Sequence, residues 1–353
     1  MMSFGPTSTR LRGLLLSLLW LGALPLAQAR PRPYYPVPGH EKPVALLHAG
    51  TARYLVTEHR VFRLEGARFV ARYQSSAAIQ CAALADTVLW LGTAHGVLRL
   101  GTHGFRPRPV PFPLPDAAPA ITALFLDQQG TPWVGAYGMG VFRWVNGAFV
   151  SELRTPAVNA GAATADGSVW VATSIGLSRK LGTEWARYNE EGVANHEIPD
   201  NIVEKLLPDN AGNLWVVMSD AICVFDGRAR HAAAEAELPT VKFIGRSGNE
   251  VYGVASIGGV GRVFATAMGL LLLPDAPLEQ AFAPSTDRIE PKRVLVPLPL
   301  PAGAANPTLL EVDARQRVWL ASENGVLVLS AKAFRRFVSA KPLPEMTLAQ
   351  GQP

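Results

Sequence analysis

Eight side chains in this sequence have the chemistry to meet a ligand: Glu58, His59, His95, Tyr137, Ser174, Asp220, Glu323 and Asn324. Histidines and carboxylates can exchange protons near neutral pH, and the hydroxyl, amide and carboxylate groups can hydrogen-bond the hydroxyls of a sugar. The tyrosine adds a flat face for stacking. Such a set suits a glycan fragment or a protein-docking surface. It also leaves open an acid/base pair between the Glu58-His59 position and Glu323. The sequence has no HExxH, no GxSxG, no phosphate-cradling loop and no CxxC. GGVG at 258–261 lies between strands, where it has no helix start to serve as a phosphate site. The sequence therefore assigns no catalytic residue, no metal and no cofactor.

What places these residues together is a repeat. Each follows an aromatic anchor by a few positions, and the anchors are Tyr54, Trp90, Trp133, Trp170, Trp215, Phe264 and Trp319. After each anchor a second apolar run begins at Arg60, Gly96, Gly140, Gly176, Ala221, Gly269 and Gly325. The fullest copies are DQQGTPWVGAYGMGVFRW (127–144), DNAGNLWVVMSDAICVFDG (209–227) and DARQRVWLASENGVLVLS (313–330), with an Asp six positions before each Trp. Around Trp133 the unit reads as four strands: ITALFL, PWVGA, GVFRW and AFVSE, with an Asn-Gly hairpin before the last. Four strands per ~40–45 residues, repeated, is the pattern of a β-propeller blade. The chain is thus expected to be all-β, a seven-bladed β-propeller with four-stranded antiparallel blades. In the sixth unit Tyr252 is an alternative anchor; Phe264 is preferred because FATAMGLL matches LGTAHGVL. Misreading residues 240–308 would make the count six or eight.

In this register the loops between second and third strands share one face of the ring, and Ala267-Met268 supplies the sixth. The Pro-rich stretches 106–116 and 297–307 read as stiff connections between blades on that face. PVALL opens the first blade and FRRFV is read as the fourth strand of the last, so closure without a swapped strand is expected unless PYYPVPG (33–39) adds an edge. No segment shows a sustained helical period, apart from the short HAAAEAEL at 231–238.

The ends read differently from the ring. Residues 1–29 combine Arg10 and Arg12, the apolar LLLSLLWLGALPL and the small-x-small Ala27-Gln28-Ala29, the layout of a signal peptide. The expected order is a signal peptide (1–29), a Pro-rich segment (30–42), the propeller (43–338) and a disordered tail (339–353). No later stretch reaches the ~20 apolar residues of a spanning helix. A periplasmic or secreted protein with no membrane span after cleavage is expected. Cleavage lowers the net charge from +5 to +3, and no Lys/Arg run suggests nucleic acid as a partner. Cys81 and Cys223 lie in apolar runs of distant units and are expected as free buried thiols rather than a bridge.

The pattern D-x-x-G-x-x-W-x-G-T-x-x-G-[VL] resembles the two-component-regulator propeller repeat, across roughly residues 43–338. The match is clearest at 127–143 and 209–225, and partial at 85–98 and 165–178. The resemblance implies a periplasmic sensor region. In full-length sensors it would be followed by a β-sandwich, a transmembrane helix and a histidine kinase. Here the sequence ends at Pro353 after SAKPLPEMTLAQGQP, so a stand-alone recognition module is expected, with an envelope signalling or surface protein as its partner. The alternative is a propeller-fold lyase or hydrolase with a His/carboxylate site on the same face.

Overall fold

Ile121–Leu126, Pro132–Ala136, Gly140–Val145 and Ala148–Leu153 pair in chain order as an antiparallel meander, and the computed structural model repeats this sheet seven times. It describes residues 34–113, 118–191, 198–219, 221–225, 240–244, 250–274, 296–300 and 305–339. The proposed signal peptide, the tail beyond 339, Asp220 and HAAAEAEL lie outside the described residues. The protein is a seven-bladed β-propeller of four-stranded antiparallel blades with one short helix. The first strands of successive blades neighbour one another around the axis.

Burial explains why these strands read as they do. Every residue of the second strands Pro132–Ala136, Val169–Thr173 and Leu214–Met218 is buried, because both faces of each sheet are covered by neighbouring blades. A strand buried on both faces is a continuous apolar run rather than an alternating one. Fourth strands such as Ala148–Leu153 lie on the rim and are largely exposed, with Phe149 alone of that strand buried.

The six-residue Asp–Trp spacing has a geometric cause. In blade 5 the Oδ1 of Asp209 accepts from the backbone N–H of Ala211 and Asn213, closing the turn, while its Oδ2 accepts the Trp215 indole N–H at 3.0 Å. Asp127 and Trp133 repeat this in blade 3 at 2.9 Å, and Asp313 and Trp319 in blade 7 at 3.0 Å. One carboxylate thus satisfies a turn and the polar edge of a buried ring. In blade 4 the hydroxyl of Thr164 takes the Trp170 indole instead. In blade 2 Leu84 stands at that position, and the buried Trp90 Nε1 has no hydrogen-bond partner among the described residues. The glycine opening the third strand has an equally local reason. Gly140 sits at φ +103, and a Cβ there would collide with the Leu153 carbonyl oxygen.

Three expectations are corrected. First, the last blade does not use its own fourth strand. Tyr34–Pro36 pairs with Gly325–Ser330, so the ring begins at Tyr34 and is closed by its N-terminal segment, the exception PYYPVPG allowed. FRRFV instead lies in the helix Ala331–Ser339, capped by Ser330 Oγ accepting the Ala333 N–H at 3.1 Å. Phe334 and Phe337, one turn apart, pack that helix onto the blade 6–7 core. Second, 106–116 is not wholly a connection, since Pro107–Val110 is the fourth strand of blade 2. Third, Val296–Leu298, overlapping the start of 297–307, is the fourth strand of blade 6. A rim strand leaves one edge unpaired, so proline's missing N–H costs little there. Phe264 does anchor blade 6, on the strand Gly261–Thr266, whereas Tyr252 belongs to that blade's first strand. Neither Cys81 nor Cys223 is in a disulfide, and burial pushes the Cys81 thiol up to about 12.

Candidate functional site

Loop backbones between second and third strands are tied to the segments entering each blade. Tyr137 N–H donates to Ala120 O, Ser219 N–H to Ile202 O, Ala267 N–H to Glu250 O and Glu58 N–H to Lys42 O. These loops therefore share one face with the blade connections. Glu58, His59, His95, Tyr137, Ser174, Glu323 and Asn324 are all exposed on it, with Met268 beside them.

No hydrogen bond or ion pair joins the side chains of Glu58, His59 and Glu323 among the described residues. Near the first blade the carboxylate in use is Glu41, which accepts from Thr57 Oγ1, pairs with Arg60 Nε at 3.1 Å and accepts the His59 backbone N–H. Asn324 instead meets His40 Nδ1 at 2.9 Å.

Tyr137 and Ser174 are placed differently. A cleft of about 450 Å³ is lined by Thr122, Tyr137, Ala157, Val158, Asn159 and Glu204, drawn from blades 3, 4 and 5. Tyr137 is 67 % exposed on its wall while its backbone is fixed. Ser174 approaches the cleft through Asn159, whose Nδ2 lies 3.4 Å from its Oγ and donates to Val203 O at 2.7 Å. A larger cleft of about 770 Å³ opens beside blade 3, but Phe142, Phe149, Val150, Pro113 and Pro156 make its walls mostly apolar.

Thr122 and Glu204 escaped the sequence reading, and the reason is a bulge. At the entry of five first strands the register skips one residue: Val44, Gln80, Thr122, Glu204 and Tyr252. A bulged residue leaves the ladder and its side chain is re-aimed. The bulge thus sets a varied side chain at the mouth of the axis in five blades. The only sequence sign is a polar residue near the start of an apolar run, as Thr122 in ITALFL and Glu204 in VEKLLP. Beside Glu204, Lys205 pairs with Glu250 at 2.7 Å and lies over the Tyr252 ring at 5.0 Å. That hydrogen bond from Lys205 lowers the Glu250 pKa.

Further along the axis is Glu311, on the innermost strand of blade 7. The residue is exposed to solvent, and desolvation by the surrounding protein raises its pKa to about 7. Such a carboxyl weakens the fold once pH rises above its ordinary 4.5, because only the unfolded chain ionises freely. Glu311→Gln is accordingly expected to raise Tm at pH 8 and to lose that effect below pH 4.5, read by thermal melts across pH.

Among the described residues no cluster of three or more metal-ligating side chains occurs, and no helix is long and apolar enough to cross a membrane. Fold and site together define a seven-bladed propeller with a varied loop face. No protein-family model matches the sequence, and no curated protein matches it. Solved structures do. The extracellular domain of a putative hybrid two-component system from B. thetaiotaomicron superposes with a TM-score of 0.58 at 15% identity, over 82% of this chain and 38% of that one. A catalytically inactive virginiamycin B lyase from Staphylococcus aureus, solved with quinupristin, gives 0.60 at 14% identity, over 84% and 98%. PorZ, a surface component of the type-IX secretion system of Porphyromonas gingivalis, gives 0.55 at 13% identity, over 81% and 46%. The chain spans about two-fifths of the sensor chain it matches. The sensor propellers anticipated from the repeat are thus among its structural neighbours, and the shared feature is the fold.

Proposed function

We propose that this chain is an exported, non-catalytic recognition module that binds a glycan fragment on the loop face, in the cleft between blades 3, 4 and 5. The observation that carries this reading is Tyr137, an aromatic face fixed by its backbone and left open to solvent beside Asn159 and Glu204. A sugar ring would stack on the tyrosine while its hydroxyls bond the amide and carboxylate. The likeness to the extracellular domain of a two-component system, and the leader-like first 29 residues, support placement in the periplasm or outside the cell. The lyase or hydrolase alternative needs a histidine beside a carboxylate. The rings of His59 and His95 touch none among the described residues.

Binding of a panel of oligosaccharide fragments, followed by calorimetry, tests the proposal. Tyr137→Ala is expected to weaken a hit about tenfold or more, and Tyr137→Phe to retain it, since stacking needs only the ring. Capture of an envelope protein without any sugar binding would replace the glycan by a partner protein. Turnover abolished by His59→Ala or His95→Ala would establish the lyase or hydrolase instead.

A further inference from the structure

Blade 2 breaks the internal rule that its neighbours keep. In blade 3, Arg143 lies across from Trp133, with its guanidinium 5.7 Å from that ring, and donates to Glu152 at 2.7 Å. In blade 4, Arg179 lies across from Trp170 and pairs with Asp166 at 3.0 Å. The matching residue of blade 2 is Arg99, across from Trp90. Where blade 3 has Asp127, blade 2 has Leu84, and the bulged Glu152 of blade 3 has no counterpart in the unbulged pairing of blade 2, so both acids are gone. Across from Arg99 on the fourth strand stands a second arginine, Arg108. Like charges directly opposite each other destabilise a sheet, and no ion pair offsets them among the described residues.

The arginines surround a cleft of about 270 Å³ lined by Val88, Arg99, Gly101, Gly104, Arg106 and Arg108. No carboxylate lines it among the described residues. None of the three arginine side chains makes a hydrogen bond or ion pair among the described residues. Arg99 is nonetheless held in place, its guanidinium 4.8 Å from the Trp90 ring and 5.3 Å from Trp144 of the next blade. Stacking fixes a guanidinium by its faces and leaves the N–H donors on its edge unspent. Arg106 and Arg108 are exposed, and the two glycines leave the intervening space free of side chains.

We infer that blade 2 carries a second site, independent of the loop-face cleft, in which Arg99, Arg106 and Arg108 bind a tetrahedral oxyanion, the sulfate or phosphate ester group of a larger ligand. Three cations without a counter-charge match a dianion better than a single carboxylate. Planar forked donors suit its oxygens in pairs. The volume admits the ester group and leaves the rest of the ligand outside.

The test is calorimetry and thermal melts on the mature chain with inorganic sulfate, inorganic phosphate and acetate, each balanced with sodium chloride to constant ionic strength. Saturable binding of sulfate or phosphate with a rise in Tm is expected, and acetate is expected to bind more weakly. The stronger of the two dianion arms identifies the ester. The double variant Arg106→Ala/Arg108→Ala is expected to weaken that binding about tenfold or more. Its Tm without anion should be unchanged or higher, because a repulsion is relieved. Arg68→Ala, which removes an exposed arginine of blade 1, should leave binding intact. Chloride matching the dianions, or equal losses in the Arg68 and Arg106/Arg108 variants, would overturn the site.

Discussion

A chain beginning at Pro38 is expected to melt about 10–15 °C below one beginning at Arg30, because it lacks the strand that closes the ring. Tyr35 stacks on Trp319 at 6.4 Å and meets Phe69 of blade 1 edge-on at 6.1 Å, so one side chain joins the last blade to the first. Val37 is buried beside them, its N–H donating to Asn324 O, and the Tyr34 hydroxyl donates to the same oxygen at 2.8 Å. Burying these rings and Val37 is worth roughly 4–6 kcal/mol at ~25 cal/mol per Å². For a domain this large each kcal/mol moves Tm by about 2–4 °C. The cut also strips Gly325–Ser330 of its partner and leaves an open edge, so aggregation on heating should increase. Tyr35→Ala separates the ring contact from the strand and is expected to cost about 3–5 kcal/mol by itself. Coincident melts of the two chains would show that the ring does not depend on this closure.

The second large effect lies at the same joint. Asp313→Ala is expected to cost about 3–5 kcal/mol in denaturant unfolding, against about 1–2 for Asp127→Ala. Both residues hold a turn and an indole, but Asp313 also takes Arg317 and, at 3.6 Å, the buried Arg53 of blade 1. Removing it leaves a cation buried without its counter-charge. Equal losses in the two variants would mean that the pairing across the joint contributes nothing.

The joint also fixes an acid response. Burial, helped by the Arg53 charge, lowers His48 from 6.5 to about 4, and its ring packs edge-on against Trp319 at 5.5 Å. The unfolded chain therefore takes up this proton first, and stability falls as pH drops from 6.5 toward 4. Burial alone would raise the Asp313 pKa. The hydrogen bonds donated by Arg317 and Trp319, with the Arg317 charge, hold it well below the carboxylate range. Its contribution is present above pH 3.8 and is lost below that value. His48→Gln should remove about 1–2 kcal/mol of the slope between pH 6.5 and 4, after allowing for partial exposure. The steeper loss below pH 4 should remain.

How much of this could be read from the chain alone depends on whether the cause was local. Asp-x5-Trp, the glycine opening five of the third strands and the uninterrupted apolar second strands each answer to contacts within one blade, and each recurs. The helix Ala331–Ser339 was missed because its apolar stripe is one Phe-x-x-Phe-Val step in a segment that also suited a strand. The Pro-rich rim strands were missed because proline argues against a strand wherever both edges are paired, and only position in the sheet shows that one edge is free. In the candidate site, Tyr137 was legible as an odd residue in a repeating loop. Thr122 and Glu204 were not, because a bulge is a register shift between strands and leaves almost no mark in either.

The sequence by itself determined the architecture: seven copies of one unit that cannot bury its own faces must stack, and their number closes a ring. Tertiary structure alone decided which segment completes the seventh blade, since Tyr34–Pro36 and FRRFV were both available and only packing against Trp319 and Phe69 favours the first. It decided, too, which varied residues become neighbours. A cleft drawn from blades 3, 4 and 5, or an arginine clasped by indoles of two blades, depends on distances between repeats, and those are set by the ring rather than by any one unit.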